Sequence, residues 1–232
     1  MTKSLFLAGA SGAIGRRLAP LLIADGWRVV GATRFAEKTD LLRRLGVEPV
    51  VLDVYDAEAL RAAVAQARPR VVIHQLTDLP PALEPALMPE GLIRNARIRE
   101  EGTRNLIAAA IGAGAERLIA QSLAFVYADG PRPHREDDPL TSPSVVSLEA
   151  QVRQALLAGF VLRYGRIYGP GTGFETASGA APVHVDAAAH AAALAVGVGA
   201  PGVYNIAEDD GLVSSDKARR ELGWNAGWRA AS

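Results

Sequence analysis

A chain of 232 residues with 25 basic and 25 acidic side chains carries no net charge, which removes the electrostatic case for nucleic acid or an anionic membrane as partner. There is no cysteine, so disulfides and thiolate metal sites are excluded, and a reducing cytoplasm is the compartment that fits. Small molecules and other protein chains are left as partners, because no apolar run approaches the roughly 18 residues needed to span a bilayer.

In chain order, Leu5–Ala8 is a short apolar strand running straight into Gly9, Gly12 and Gly15, and Ile14, Leu18, Leu21 and Leu22 then recur at helical spacing. A strand, tight turn and helix start of this kind suits a diphosphate. Gly9 permits the turn, Gly12 lets backbone approach the phosphates, Gly15 lets helix and strand pack closely, and the free N–H groups of the first helical turn form the positive end. Ser11, Ala13 and Ile14 complete this loop, whose spacing is Gly-x-x-Gly-x-x-Gly rather than the commoner Gly-x-Gly-x-x-Gly.

Trp27–Thr33 reads as a second strand, with Thr33 and Arg34 at its exit and Lys38 nearby. A basic residue there accommodates the extra phosphate of NADP, where an acidic one would hold ribose hydroxyls, so NADP(H) is expected over NAD. A short helix over Leu41–Leu45, a strand over Glu48–Asp53 and a helix over Asp56–Ala67 follow. Arg70–Gln75 is an apolar fourth strand suited to burial on both faces, and its end places His74, Gln75 and Leu76 at the nicotinamide ribose, with a structural role open for His74. The proline-rich stretch Leu79–Pro89 reads as a loop, Glu90–Ala113 as a helix and Glu116–Ser122 as a fifth strand. A helix over Val145–Leu157, a strand over Gly159–Ile167, an alanine-rich helix over Ala187–Val196 and a strand over Gly202–Ala207 come next. A last helix starts at Ser215 and stops at Gly223. The alternation predicts an α/β fold, a doubly wound parallel sheet, with a dinucleotide-binding domain over residues 1–167 and a small mixed C-terminal lobe over 168–232.

The string Gly9-Ala10-Ser11-Gly12-Ala13-Ile14-Gly15 resembles the cofactor loop of the extended short-chain dehydrogenase/reductase family, the NAD(P)-dependent epimerases and dehydratases. Gly102-Thr103-Arg104-Asn105-Leu106 is similar to that family's Gly-Thr-x-x-Leu helix. Arg163 through Tyr168-Gly169-Pro170, Val183-His184-Val185-Asp186 and Lys217-Ala218 through Leu222-Gly223-Trp224 are similar to later family strings. The resemblance implies a Rossmann-like fold, a bound nicotinamide dinucleotide, and oxidoreductase or sugar-nucleotide epimerase/dehydratase chemistry on a small molecule. It also implies that Asp53 and Val54 lie at the adenine and that Arg166 and Tyr168 face the nicotinamide end. Capping is the competing explanation for Asp53, and capping of the alanine-rich helix the plain one for Asp186. Relatives carry longer substrate-binding segments where only Thr172–Pro182 and Glu208–Ser214 stand here, so the resemblance implies that residues 168–232 are a small, reduced C-terminal substrate lobe.

The chain departs from the family at the catalytic centre. Family members pair a Tyr with a Lys four residues later, which lowers the phenol's pKa, and add a substrate-orienting Ser. Lysine occurs only at Lys3, Lys38 and Lys217, and no tyrosine here has one at the fourth following position. The Tyr position falls at Ser144, the Lys position at Leu148, and the usual Asn before Gly102 is Arg99. Ser122, Tyr127 and Tyr164 are the catalytic candidates that remain, the phenols as alternative proton donors. Two classes of function follow: an NAD(P)-dependent oxidoreductase or epimerase with a nonstandard site, and a catalytically silent dinucleotide-binding regulator or sensor. His184 and His190 are off the i,i+4 face a metal pair would need, so no metal is assigned. A homodimer built on one of the alanine-rich helices is expected by analogy.

Overall fold

The computed structural model describes residues 3–230. Its first strand, β1 (Ser4–Ala8), is buried at every residue, and its pleat divides the interior: Leu5 and Leu7 enter one core layer, Phe6 and Ala8 the other. The remaining strands are β2 (Arg28–Thr33), β3 (Glu48–Val51), β4 (Val71–His74), β5 (Arg117–Leu123), β6 (Ala158–Tyr164), β7 (Arg166–Tyr168), β8 (Pro182–His184) and β9 (Gly202–Ile206). Seven of them form one parallel sheet in the order β3-β2-β1-β4-β5-β6-β9, while β7 and β8 pair separately. This is the doubly wound α/β sheet anticipated from the alternation of elements.

The helices are α1 (Ala13–Ala24), α2 (Thr39–Arg44), α3 (Ala57–Ala67), α4 (Met88–Arg97), α5 (Thr103–Gly112), α6 (Pro143–Gln154), α7 (Val185–Gly197) and α8 (Asp216–Leu222). α1 and α7 pack on the layer containing Leu5 and Leu7, and α3, α5 and α6 on the layer containing Phe6 and Ala8. Among the described residues no helix is long and apolar enough to cross a membrane.

Three expectations change. The helix anticipated over Glu90–Ala113 is interrupted by a π-turn at Ile98–Gly102 that separates α4 from α5. The boundary at residue 167 does not divide the sheet, because β9 hydrogen-bonds along β6 from Phe160↔Gly202 to Tyr164↔Ile206. Six alanines of α7, Ala187, Ala188, Ala189, Ala191, Ala192 and Ala195, are buried against the body of the protein, so of the two alanine-rich helices that invited a twofold partner this one is already used.

Strand order reverses between β1 and β4, where a parallel sheet opens a crevice beyond its carboxyl ends. Ala8 pairs with Ala32 on one side and His74 on the other, which brings Gly9, Thr33 and Gln75 to a common rim.

Candidate functional site

The glycine loop is held by close backbone approach. Gly9 has φ +88°, and a Cβ on it would lie 2.4 Å from the Gln75 carbonyl oxygen. A Cβ on Gly15 would lie 2.3 Å from the Gly9 oxygen, so this buried residue shapes the loop from beneath. Gly12, by contrast, is exposed and caps α1 with no side-chain acceptor, leaving the first-turn N–H groups to an outside ligand.

Two adjoining clefts meet at Ser11, Gly12, Gln75 and Leu76, with volumes of about 630 and 480 Å³. The first contains Gly9, Thr33, Arg34, Asp53 and Val54, all anticipated, together with Lys38 and Asp78. Ser11 Oγ and Thr33 Oγ1 are 3.0 Å apart and join the loop to the β2 exit. Arg34 is not a free cation: Nη1 and Nη2 donate to the two Asp78 oxygens at 3.0 and 2.6 Å. These hydrogen bonds hold the Asp78 carboxyl below the usual carboxylate range, against the opposing effect of burial. Arg94 Nε lies 3.6 Å from the same carboxylate. Asp53 accepts from the Tyr55 amide at 2.9 Å, and it is Asp56, through the Ala59 amide at 3.0 Å, that caps α3; capping therefore does not account for Asp53.

His74 takes the structural role. It is buried, its Nδ1 accepts from the Leu76 amide at 3.2 Å, and its Nε2 is 3.0 Å from Thr103 Oγ1. Burial, with the charge of Arg99 second, pushes its pKa down to about 4, so the ring is neutral.

The second cleft is lined by Ala13, Ile14, Ser122, Tyr164 and Arg166. Tyr164 is fully buried; its hydroxyl accepts from Gln75 Nε2 at 3.2 Å and burial raises its pKa. Ser122 donates to Glu149 Oε1 at 2.6 Å, and Glu149 is itself bonded by Arg163 Nε and Nη2 at 2.8 and 2.7 Å, both partners being buried. Tyr127 belongs to the far end of this network and outside either cleft: it donates to Asn205 Oδ1 at 2.6 Å and accepts from Arg163 Nη1 at 2.8 Å. Burial raises its pKa too, with Arg163 only partly offsetting the effect. Tyr168 is likewise outside both clefts, donating to Glu208 at 2.8 Å with its ring edge-on to His184. Both departures from expectation have one cause, a polar partner on a neighbouring loop or strand that the sequence does not pair by spacing.

Leu148 lines the second cleft, and Ser144 accepts a 3.3 Å hydrogen bond from Arg99 Nη1. Lys38, Asp78 and Arg99 are the site residues that sequence reasoning left unassigned; only Lys38 and Arg99 gave a signal, as a nearby cation and as a departure from the family string. On α7, His184 rather than Asp186 is the cap, its Nδ1 accepting from the Asp186 amide at 3.2 Å, while Asp186 Oδ2 accepts from the Ala230 amide. Among the described residues no cluster of three or more His, Asp or Glu is arranged to hold a metal ion.

These residues fit a dinucleotide. The loop offers bare amides between the clefts, and Gln75 Oε1, buried at their junction, has no hydrogen-bond partner among the described residues, a cost that a ribose hydroxyl or amide would remove.

Comparison with known proteins agrees. The family described as NAD(P)H-binding matches residues 9–159. The chain is 39% identical over 237 aligned positions to a 3-diazoavenalumate denitrifying reductase of a Streptomyces species, covering 89% of this chain and 76% of that protein. It is 34% identical over 176 positions to a dTDP-4-dehydrorhamnose reductase of Streptomyces griseus, covering 71% of this chain and 50% of that protein. Among solved structures, UDP-glucose 4-epimerase of Thermotoga maritima with UDP-glucose superposes with a TM-score of 0.79 at 20% identity, over 97% of this chain and 94% of that one. UDP-glucuronic acid 4-epimerase of Bacillus cereus, in complex with UDP-glucuronic acid and NAD, does so with a TM-score of 0.79 at 16% identity, over 97% and 95%. With its glycine loop at the switch point and the family match running over residues 9–159, the chain belongs to the NAD(P)H-binding family.

Proposed function

We propose that the protein is an NADP(H)-dependent reductase whose hydride acceptor requires no phenolic acid, and that its substrate class is a small aromatic molecule bearing a diazonium group, reduced with loss of dinitrogen. The observation carrying this is the cleft wall formed by α6. Where a carbonyl reductase needs a phenol and an ammonium to protonate the nascent alkoxide, α6 presents Leu148 to the cleft and carries Ser144, one turn earlier, outside its lining. Tyr164 lines the cleft, but burial makes its hydroxyl a poorer acid, and Ser122 has its proton committed to Glu149. A diazonium carbon removes the requirement. The C–N bond would break with its electron pair leaving on dinitrogen, a C–H bond would form from the hydride that a bound cofactor supplies, the carbon would be reduced and the cofactor oxidised, and no proton would be taken up at the reacting atom. The name of the Streptomyces denitrifying reductase supports the same class.

When bound, the dihydronicotinamide supplies the hydride. The chain's own contribution is placement: the glycine loop carries the diphosphate, Gln75 and Leu76 sit at the join between the clefts, and Arg34 with Lys38 favours the 2′-phosphate of NADP. Asp53 and Val54 border the adenine, and Arg166 the nicotinamide end. The cytoplasm is the compartment proposed. A homodimer is proposed as well, through Leu92, Ile93 and Val146, which α4 and α6 leave exposed; sedimentation as a monomer at every concentration would exclude it.

The test uses NADPH deuterated at C4 and a panel of arenediazonium and carbonyl compounds. Deuterium is expected on the ring carbon that held nitrogen, with dinitrogen and NADP formed in equal amounts. Tight NADPH binding without transfer to any member of the panel would favour the silent sensor instead.

A further inference from the structure

Charge around the second cleft is one-sided. Arg16, Lys38, Arg99 and Arg166 line it, and no Asp or Glu does. Three of these cations have evident settings. Arg16 leans on the glycine loop, bonded to the Gly12 and Gly171 carbonyls; Lys38 also borders the first cleft; Arg166 is exposed over the Phe125 ring. Arg99 differs from all of them. It is half-buried, its side chain makes a single long hydrogen bond, 3.3 Å to Ser144 Oγ, and among the described residues no carboxylate is in ion-pair contact with it. Its helical neighbours Arg94 and Arg97 are both paired.

The position is constructed. The π-turn at Ile98–Gly102 swings Arg99 toward α6, and Gln151 Nε2 donates to the carbonyls of Arg99 and Glu100 at 3.4 and 3.3 Å, which fastens the turn to the helix carrying Ser144 and Leu148. A guanidinium withdrawn from water without a counter-ion is costly, and burial lowers its pKa accordingly. That cost is recovered when an anion enters, and the planar fork of an arginine matches a carboxylate with two parallel hydrogen bonds. A diphosphate on the glycine loop would have the α1 amides and Arg16 at hand; Arg99 lines the second cleft together with Leu123, Phe125 and Leu148.

We infer that Arg99 is the substrate's carboxylate receptor, and that the substrate is a monocarboxylic acid with an apolar, aromatic body lying on Leu123, Phe125 and Leu148. This rests on the reading of the second cleft as the place of the hydride acceptor, and it adds the group by which that acceptor is oriented.

The experiment is calorimetric titration of the NADPH-saturated protein with acid and methyl-ester pairs (benzoate, phenylacetate, cinnamate) and with UDP. At least one acid is expected to bind tenfold or more tightly than its ester. Arg99→Gln should abolish that preference and Arg99→Lys keep part of it, with NADPH affinity in both variants within twofold of the parent, which also reports that they are folded. Esters binding as well as acids throughout, a preference that survives in Arg99→Gln, or UDP binding more tightly than every acid and depending on Arg99 would overturn the assignment. Hydride transfer is not read here. A protein that selects acids through Arg99 but never transfers hydride overturns only the proposed reaction, and one that reduces neutral compounds without selecting acids overturns only the carboxylate receptor.

Discussion

Arg34 and Asp78 lie far apart in the sequence and share two hydrogen bonds at the mouth of the first cleft. A phosphate arriving at Arg34 must displace that carboxylate or share the guanidinium with it, and Arg94, 3.6 Å from Asp78, is the cation left to hold the carboxylate afterwards. Asp78→Asn removes a negative charge from the phosphate's path, so NADPH should bind about three- to tenfold more tightly while NADH changes little. Arg34→Ala should weaken NADPH by about ten- to a hundredfold and leave NADH nearly as it was. Fluorescence titration with both cofactors checks each, and equal affinities in the parent protein would refute the role given to the β2 exit. Arg34 itself was legible from its place after a strand. Asp78 was not, since an ion pair between two loops leaves no spacing in the sequence, and the same is true of the Glu208 that draws Tyr168 away from the clefts.

At the scale of elements, one buried network ties four of them together. Ser122 on β5, Glu149 on α6, Arg163 on β6 and Asn205 on β9 are linked through the carboxylate, the guanidinium and the Tyr127 hydroxyl. Glu149→Gln leaves the Arg163 charge buried without its partner and should cost about 3–5 kcal/mol in urea denaturation, whereas replacing both residues by Leu and Met should recover most of the loss. A double variant as unstable as the single one would show that shape, not charge, is what the pair supplies. The elements were readable because local chemistry writes them plainly: glycines after β1, prolines between β4 and α4, a glycine closing α8. Tyr127 read as a catalytic candidate because a reactive side chain after a strand looks the same whether it faces a substrate or an arginine. The π-turn was hidden for a related reason, as one added residue per turn hardly alters the apolar spacing on either side.

For the molecule as a whole, folding is coupled to pH through His74. Its pKa is about 4 in the fold against an ordinary 6.5, so the unfolded chain binds the extra proton between those limits. The stabilisation from the neutral ring is complete above 6.5, declines as pH falls through the window, by at most about 1.4 kcal/mol per unit, and is lost below it. Denaturation midpoints measured across that range should fall toward acid in the parent protein and much less in His74→Asn; parallel slopes would assign the acid sensitivity to other groups. The layered architecture could be foreseen, but the place of β9 in the sheet could not, because its partner β6 is chosen by long-range register and not by anything near Gly202.

That late strand bears on how the protein is made. A chain leaving the ribosome has the glycine loop and both strands of the switch point in hand once β4 has emerged, and the last crevice residue once Ile98 follows, yet the outer edge of β6 has no neighbour until Ile206 is made. Parallel strands cannot borrow a hairpin to shield such an edge, so the nascent protein passes through an interval in which it can already grip a nucleotide while offering open backbone to other nascent copies. Early capture of the cofactor would then act as a folding aid, steadying the first strands while translation delivers the last.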